Sequence, residues 1–261
     1  MKKWLLAGAA LIAVLIAVLY FGLSNLGPLI KTALNTYGPQ ITRTTLHVGD
    51  VGLSLFAGEA HLKDFLLGNP KGFSAPEAVK VGAIDVDLNE KTLADNPVVI
   101  DKVEVRAPEI TYEKSAAGDN FQALLQNVRQ AAGAGRGSPA AGGQKGAADT
   151  KLVIRSLVIR DGRINLTAPA LAGQHVTTDL PYLEIQDLGG RNGATPEALA
   201  AQILTAVYRQ IQSPDVTAAL AQGLKTLGVE VQGLQVKVPL PRSEEEEAQA
   251  VKGAVKSLLG D

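Results

Sequence analysis

The chain has 261 residues, 46% of them hydrophobic and 4% aromatic, with no cysteine and a formal net charge of −1. That is enough apolar material for one large domain or two small ones, and it rules out a disulfide frame, thiolate chemistry and cysteine-ligated zinc. Lys and Arg are not gathered into a block, so the concentrated basic face of a nucleic-acid binder is missing.

The N-terminus decides location. Lys2 and Lys3 precede residues 4–23, a run without a single charge. A helix of that length spans a hydrocarbon core of ~30 Å. Trp4 sits at one end of the run and Tyr20 and Phe21 near the other, where amphipathic rings settle at headgroups. A cleaved signal peptide has a shorter apolar core and a small-x-small site, and neither is present. The expectation is a retained transmembrane anchor over residues 1–26. Its two lysines hold the N-terminus in the cytoplasm, and residues 27–261 form one domain on the far side.

Residues 27–40 fit a short helix ended by Gly38-Pro39. A strand-rich region follows. Val51, Leu53 and Leu55 alternate with polar or glycine positions, as do Ile84, Val86 and Leu88, and then Val103, Val105 and Ala107. Period two means strands with one apolar face, the habit of antiparallel sheets with one wet side. Residues 119–130 fit a short amphipathic helix capped by Asp119, with Phe121, Leu124, Leu125 and Val128 on one face. Residues 131–150, rich in Gly and Ala without a large apolar side chain, fit a flexible loop.

Residues 100–112 and 154–166 align without a gap in their apolar, basic and turn positions. Each resembles a strand, a two-residue turn and a second strand, a weak internal repeat of a β-hairpin. Thr195-Pro196-Glu197 starts a helix carrying Leu199, Ile203, Val207 and Ile211. Ser213-Pro214 starts another, carrying Val216, Leu220 and Leu224 and stopping at Gly228. Residues 229–240 alternate again through Val236 and Val238, and Ser243 with the following glutamates opens a last amphipathic helix, 244–259. The soluble part is therefore α+β, about ten strands packed with C-terminal amphipathic helices.

No catalytic constellation emerges. His47, His61 and His175 share no ligand spacing, and neither a zinc-binding helix motif nor a nucleophile elbow is present. Asp85 and Asp87 place two carboxylates on one strand face, which fits a solvated surface better than a cation site lacking further ligands. The turn Leu67-Gly68-Asn69-Pro70-Lys71-Gly72 is no phosphate loop, because Lys71 precedes Gly72-Phe73 and then Pro76 instead of opening a helix. The residues predict no enzyme, no cofactor and no metal.

Residues 62–73, LKDFLLGNPKGF, resemble the GNPxGF signature of AsmA-like proteins, bacterial envelope proteins with one N-terminal membrane helix and a periplasmic body. Residues 98–113 and 152–166 resemble that family's recurring apolar-charged hairpin, and residues 118–128 the short helix that follows it. The resemblance covers roughly residues 1–170. It implies an N-terminal transmembrane helix in the bacterial inner membrane, followed by a curved, mainly antiparallel β-sheet in the periplasm. As for the related TamB proteins, it implies an apolar groove that handles lipid and contributes to outer-membrane homeostasis. The residues assigned to such a lipid-facing groove are Val51, Leu53, Leu55, Val103, Val105, Leu157, Ile159, Val236 and Val238. The competing expectation makes them ordinary core beneath the helices at 196–228 and 244–259. The family turn comprises Gly68, Asn69, Pro70, Gly72 and Phe73, expected to turn the chain with Phe73 tucked back to pin it. The partners implied are the inner membrane through residues 4–23 and phospholipid. A non-catalytic scaffold that self-associates or binds an envelope protein is the alternative.

Overall fold

The computed structural model describes residues 26–115, 118–134 and 150–228. These belong to one of the chain's two compact units, Met1–Glu230; the other, Val231–Asp261, lies outside them. So do the apolar run 4–23, most of the Gly/Ala stretch, the strand read at 229–240 and the helix at 244–259. Among the described residues no helix is long and apolar enough to cross a membrane.

The order of elements is α1 (Leu26–Thr42), β1 (Leu46–Ser54), β2 (Glu59–Gly68), β3 (Glu77–Leu88), β4 (Val98–Arg106), β5 (Glu109–Ser115), β6 (Gly118–Asp119), α2 (Asn120–Ala134), β7 (Leu152–Arg160), β8 (Gly162–Thr167), β9 (Val176–Leu180), β10 (Leu183–Leu188), α3 (Pro196–Ile211) and α4 (Pro214–Thr226). The strands form one open ten-stranded sheet. Along its main path the order is β10-β7-β4-β3-β5-β8-β9, and β2 pairs with β3 and β1 with β2.

Most strand pairs are antiparallel, as expected, but β4–β7 and β5–β8 are parallel, so the sheet is mixed and the expectation of two hairpins is corrected. β4 does not pair with β5, nor β7 with β8. Both β4 and β5 lie antiparallel to β3, with Ala83 opposite Arg106 and Lys80 opposite Glu109, so the chain crosses Ala107-Pro108 without reversing. The second repeat then lies parallel beside the first, residue for residue in the sequence alignment. Ile100 pairs with Ile154, Val103 with Leu157, Ile110 with Ile164 and Tyr112 with Leu166. Each unit is one strand kinked at the same place, by Ala107 (φ 48°) and by Asp161 (φ 58°). A tight reversal of type I′ needs positive φ at both central residues. Pro108 is locked at negative φ, and Gly162 does not take up positive φ either. One left-handed residue bends a strand; it does not fold it back.

The helices follow the sequence closely. Asp119 accepts from the Gln122 N–H at 2.8 Å, and Phe121, Leu124, Leu125 and Val128 are all buried. Helix α2 runs on to Ala134, so the first residues of the expected loop are helical. Thr195 caps α3 by accepting from the Ala198 N–H at 3.3 Å. Gly38-Pro39 lies inside α1 instead of ending it. Gly38 is a close-approach position, because a Cβ there would sit 2.8 Å from the Leu46 side chain. The helix stops one turn later at Arg43, in left-handed conformation, whose N–H donates to the Pro39 carbonyl at 2.8 Å.

Helix α1 runs antiparallel to β1 along its outer edge. Asn35 takes the place of a paired strand: the Val48 N–H donates to its Oδ1 at 2.7 Å, and its Nδ2 donates to the Val48 carbonyl at 3.1 Å. Lys31 donates to the Gly49 carbonyl at 2.5 Å. At Val48 and Gly49 the edge is thereby closed to a further strand. Helices α2 and α3 close the core at the β2–β5 end of the sheet. Leu67, Ala78 and Leu124 cluster there with Leu46, Phe65, Val79 and Leu204. The rings of Tyr112, Phe121 and Tyr208 lie in sequence, each 6.4 Å from the next.

Candidate functional site

Two features single themselves out: the turn after β2 and one face of the sheet. The turn follows Gly68, where a Cβ would meet the Thr45 Oγ1 at 2.0 Å. Glu113 of β5, 3% exposed, clamps it. The Ser74 and Ala75 N–H groups donate to its carboxylate at 2.7 and 2.8 Å, and Asn69 Nδ2 donates at 3.2 Å. Asn120, at the start of α2, locks the other side. Its Nδ2 donates to Asn69 Oδ1 and to the Thr111 carbonyl, both at 2.7 Å, and its Oδ1 accepts the Glu113 N–H at 3.0 Å. Asn69 therefore binds the turn, the strand and the helix together, while Gly72 supplies a φ of 97°. Phe73 is only half-buried, so the pin expected from its ring is supplied mainly by Glu113. A carboxylate whose oxygens are filled by structural donors has a holding role.

The sheet face is built by register. Residues opposite one another on neighbouring strands share a face. Leu53 pairs with Ala60, Ala60 with Val86, Val86 with Val103, Val103 with Leu157 and Leu157 with Ile185. Beside this row runs a second: Val51, Leu62, Ile84, Val105, Ile159 and Leu183. A third, shorter row joins Leu88, Ile100, Ile154 and Leu188. The result is a continuous apolar face, spanning β1, β2, β3, β4, β7 and β10. β4 lies inside the sheet, paired on both sides, yet none of its nine residues is buried. Val103 and Val105 are thus partly exposed, as are Leu53, Ile84 and Ile185, while Val51, Leu157 and Ile159 are buried.

Six of the nine residues singled out in the sequence, Val51, Leu53, Val103, Val105, Leu157 and Ile159, therefore fall in the two longer rows. Leu55 lies in the β1–β2 turn beyond the strand, and Val236 and Val238 lie outside the described residues. Sequence reasoning missed the contributions of Leu62, Ile84, Val86, Leu183 and Ile185. Their alternation was legible, but only the lateral register adds them to the face.

The opposite face is charged. His61 Nδ1 lies 2.8 Å from Asp85 Oδ1, and Arg106 bonds the other oxygen of Asp85. Lys102 and Arg160 each reach Glu104 at 2.7 Å, and Arg160 also reaches Asp161 at 2.8 Å. Hydrogen bonds from Lys102 and Arg160 hold the Glu104 carboxyl below its ordinary value, and the same contacts raise both bases. Both oxygens of Asp85 are thereby occupied, one by the Arg106 guanidinium and one by the His61 ring. Among the described residues no group of three His, Asp or Glu side chains is placed to hold a metal. Among the described residues one face is apolar, and the charged side chains of the other are largely paired with one another.

The family model for the AsmA family matches residues 1–195, three quarters of the chain. The chain belongs to the AsmA family, whose members are envelope-associated and in general non-enzymatic. No curated protein matches it.

Proposed function

We propose that this protein is a non-catalytic lipid-handling protein of the bacterial envelope, held in the inner membrane by residues 4–23 with its N-terminus cytoplasmic and its body periplasmic. Acyl chains of phospholipid lie on the apolar rows of the sheet, and the protein contributes in this way to outer-membrane homeostasis. The observation that carries the reading is β4, a central strand whose apolar Ile100, Val103 and Val105 stay partly exposed. Affinity on such a face comes from buried apolar area, about 25 cal/mol per Å², so selectivity among acyl chains is low. Because β4–β5 and β7–β8 run end to end, the sheet is six strands wide (β1-β2-β3-β4-β7-β10), about 25–30 Å at about 4.8 Å spacing, so one copy does not bridge an envelope.

A second reading, an envelope scaffold that self-associates, is favoured by the outer edge of β10, which no described strand covers. Native mass spectrometry of the full chain after mild extraction separates the two. Co-purifying phospholipid, depleted in Val103→Glu, supports the groove. A lipid-free, monodisperse oligomer unaffected by Val103→Glu supports the scaffold.

A further inference from the structure

Seven large hydrophobic side chains are exposed among the described residues: Tyr182 lies in the β9–β10 turn, Leu227 at the end of α4 and Tyr37 on α1, and the other four gather at one end of the sheet. Phe56 is 92% exposed, Leu29 63%, and Ile30 and Leu93 37% each. Phe56 lies in the β1–β2 turn and Leu93 in the β3–β4 connection. These two connections touch: the Leu88 N–H donates to the Gly58 carbonyl at 2.6 Å, and a Cβ on Gly58 would meet Glu90 Oε1 at 2.5 Å. Because α1 runs antiparallel to β1, its N-terminus points toward this same end of the sheet. Gly27 packs so tightly on the Val51 carbonyl that a Cβ would lie 2.3 Å away.

The outward side of α1 is also unusual for a helix facing water. The helix has one charged residue, Lys31, and that side chain is turned inward to the Gly49 carbonyl. Its exposed side carries Pro28, Leu29, Ile30, Ala33 and Tyr37 beside the uncharged Thr32, Thr36 and Gln40, and no charge lies among them. A solvent-facing helix normally carries charge on its outer side.

We propose that this end of the sheet is a membrane-docking surface. Phe56 and Leu93 enter the leaflet at which the apolar run 4–23 terminates, and Leu29 and Ile30 seat the base of α1 on it. The inference rests on the reading of residues 4–23 as an anchor, and continuity of the chain argues for the bilayer as occupant. Leu23, the last residue of the run, is four residues before Gly27, so at about 3.6 Å per residue it lies within ~15 Å of it. Phe56 lies in the turn that ends β1, five residues on from the Val51 carbonyl against which Gly27 packs. The apolar run is therefore tethered beside the end of the sheet that carries Phe56, and an apolar side chain docking there settles about 5–10 Å into the headgroup and acyl boundary. Lys91 neighbours Glu90 and Asp95, so the contact rests on apolar insertion and not on net charge.

Trp4 is the chain's only tryptophan, which gives a direct test. The full chain is reconstituted into vesicles of phosphatidylethanolamine and phosphatidylglycerol doped with brominated phosphatidylcholine, and tryptophan quenching is read. In a Trp4→Phe background, Phe56→Trp and Leu93→Trp are compared with Lys71→Trp, which lies in the turn at the other end. The expected result is a blue-shifted emission for Phe56→Trp and Leu93→Trp, quenched as strongly as Trp4 in the parent, with Lys71→Trp unquenched. Quenched Trp4 with both end positions unquenched overturns the docking surface and leaves the anchor standing. Quenching of Lys71→Trp equal to that of the end positions also overturns it. Unquenched Trp4 overturns the anchor itself. Far-UV circular dichroism identifies any variant that misfolds, and the two end positions serve as independent probes.

Discussion

Replacing Glu113 by Ala tests whether the family turn is held from across the sheet. The side chain is buried and accepts from the Ser74 N–H at 2.7 Å, the Ala75 N–H at 2.8 Å and Asn69 Nδ2 at 3.2 Å. Hydrogen bonds to a charged acceptor contribute about 1.5–3 kcal/mol each. Ser74 is exposed, so water re-satisfies part of what is lost. Asn69 keeps its bond to the Ala75 carbonyl at 2.9 Å, which limits the collapse further. The net cost is then about 2–4 kcal/mol, well short of three full bonds. For a chain of this size that lowers the melting temperature by about 5–15 °C. Glu113→Gln should lose less, because one acceptor oxygen remains while the other corner becomes a donor facing a donor. Thermal unfolding of the full chain in mild detergent, followed by circular dichroism, reads both. An unchanged melting temperature in Glu113→Ala would refute the clamp. Equal losses in both variants would refute the claim that the acceptor geometry matters.

Asn35→Ala should unmask the β1 edge, costing about 1–3 kcal/mol for a strand N–H left without its partner; hydrogen exchange at the Val48 amide should speed up while the β4 amides are unaffected. Tyr208→Phe should destabilise by about 1.5–3 kcal/mol, because it strips the 2.6 Å hydrogen bond from the buried Asp119 carboxylate; chemical unfolding measures it. Burial raises the phenols of Tyr112 and Tyr208 well above the ordinary tyrosine value. These two phenols hold their protons more tightly folded than unfolded, so the stability they contribute is present below about pH 10 and is lost as pH rises further. Ultraviolet titration of the five tyrosines should accordingly show two that do not ionise until the protein unfolds. Glu104 shows the opposite sign: its carboxyl is held low by Lys102 and Arg160, so its proton-detected NMR titration midpoint should fall below the ordinary glutamate value.

The local features were legible in the sequence, and the long-range ones were not. Helix starts at Asp119, Thr195 and Ser213 stood out because caps and N-terminal prolines act within one turn. The repeat at 100–112 and 154–166 was also legible, down to the register in which its copies now pair. Its geometry was misread because Asp161-Gly162 carries the composition of a hairpin turn. Composition does not say which residue takes positive φ, and here Asp161 alone does, so the strand bends and the copies lie parallel. The clamp was beyond reach for a different reason. Glu113 and Asn69 are far apart in sequence, and nothing local to Tyr112-Glu113-Lys114 marks a buried acceptor. The apolar face lies between these cases: period two identified its strands, but pairing alone decided that Val86, Val103 and Leu157 stand in one row.

The proposed function puts acyl chains on the face bearing Val103 and leaves the face bearing Glu104 wet. Placing a photoreactive benzoylphenylalanine at Val103 and, separately, at Glu104 of the full chain in native membranes tests it most directly, because the two neighbours point to opposite faces of one central strand. Phospholipid adducts are expected by mass spectrometry from position 103 and none from position 104. Protein adducts without lipid at position 103, or equal lipid labelling at both positions, would contradict it.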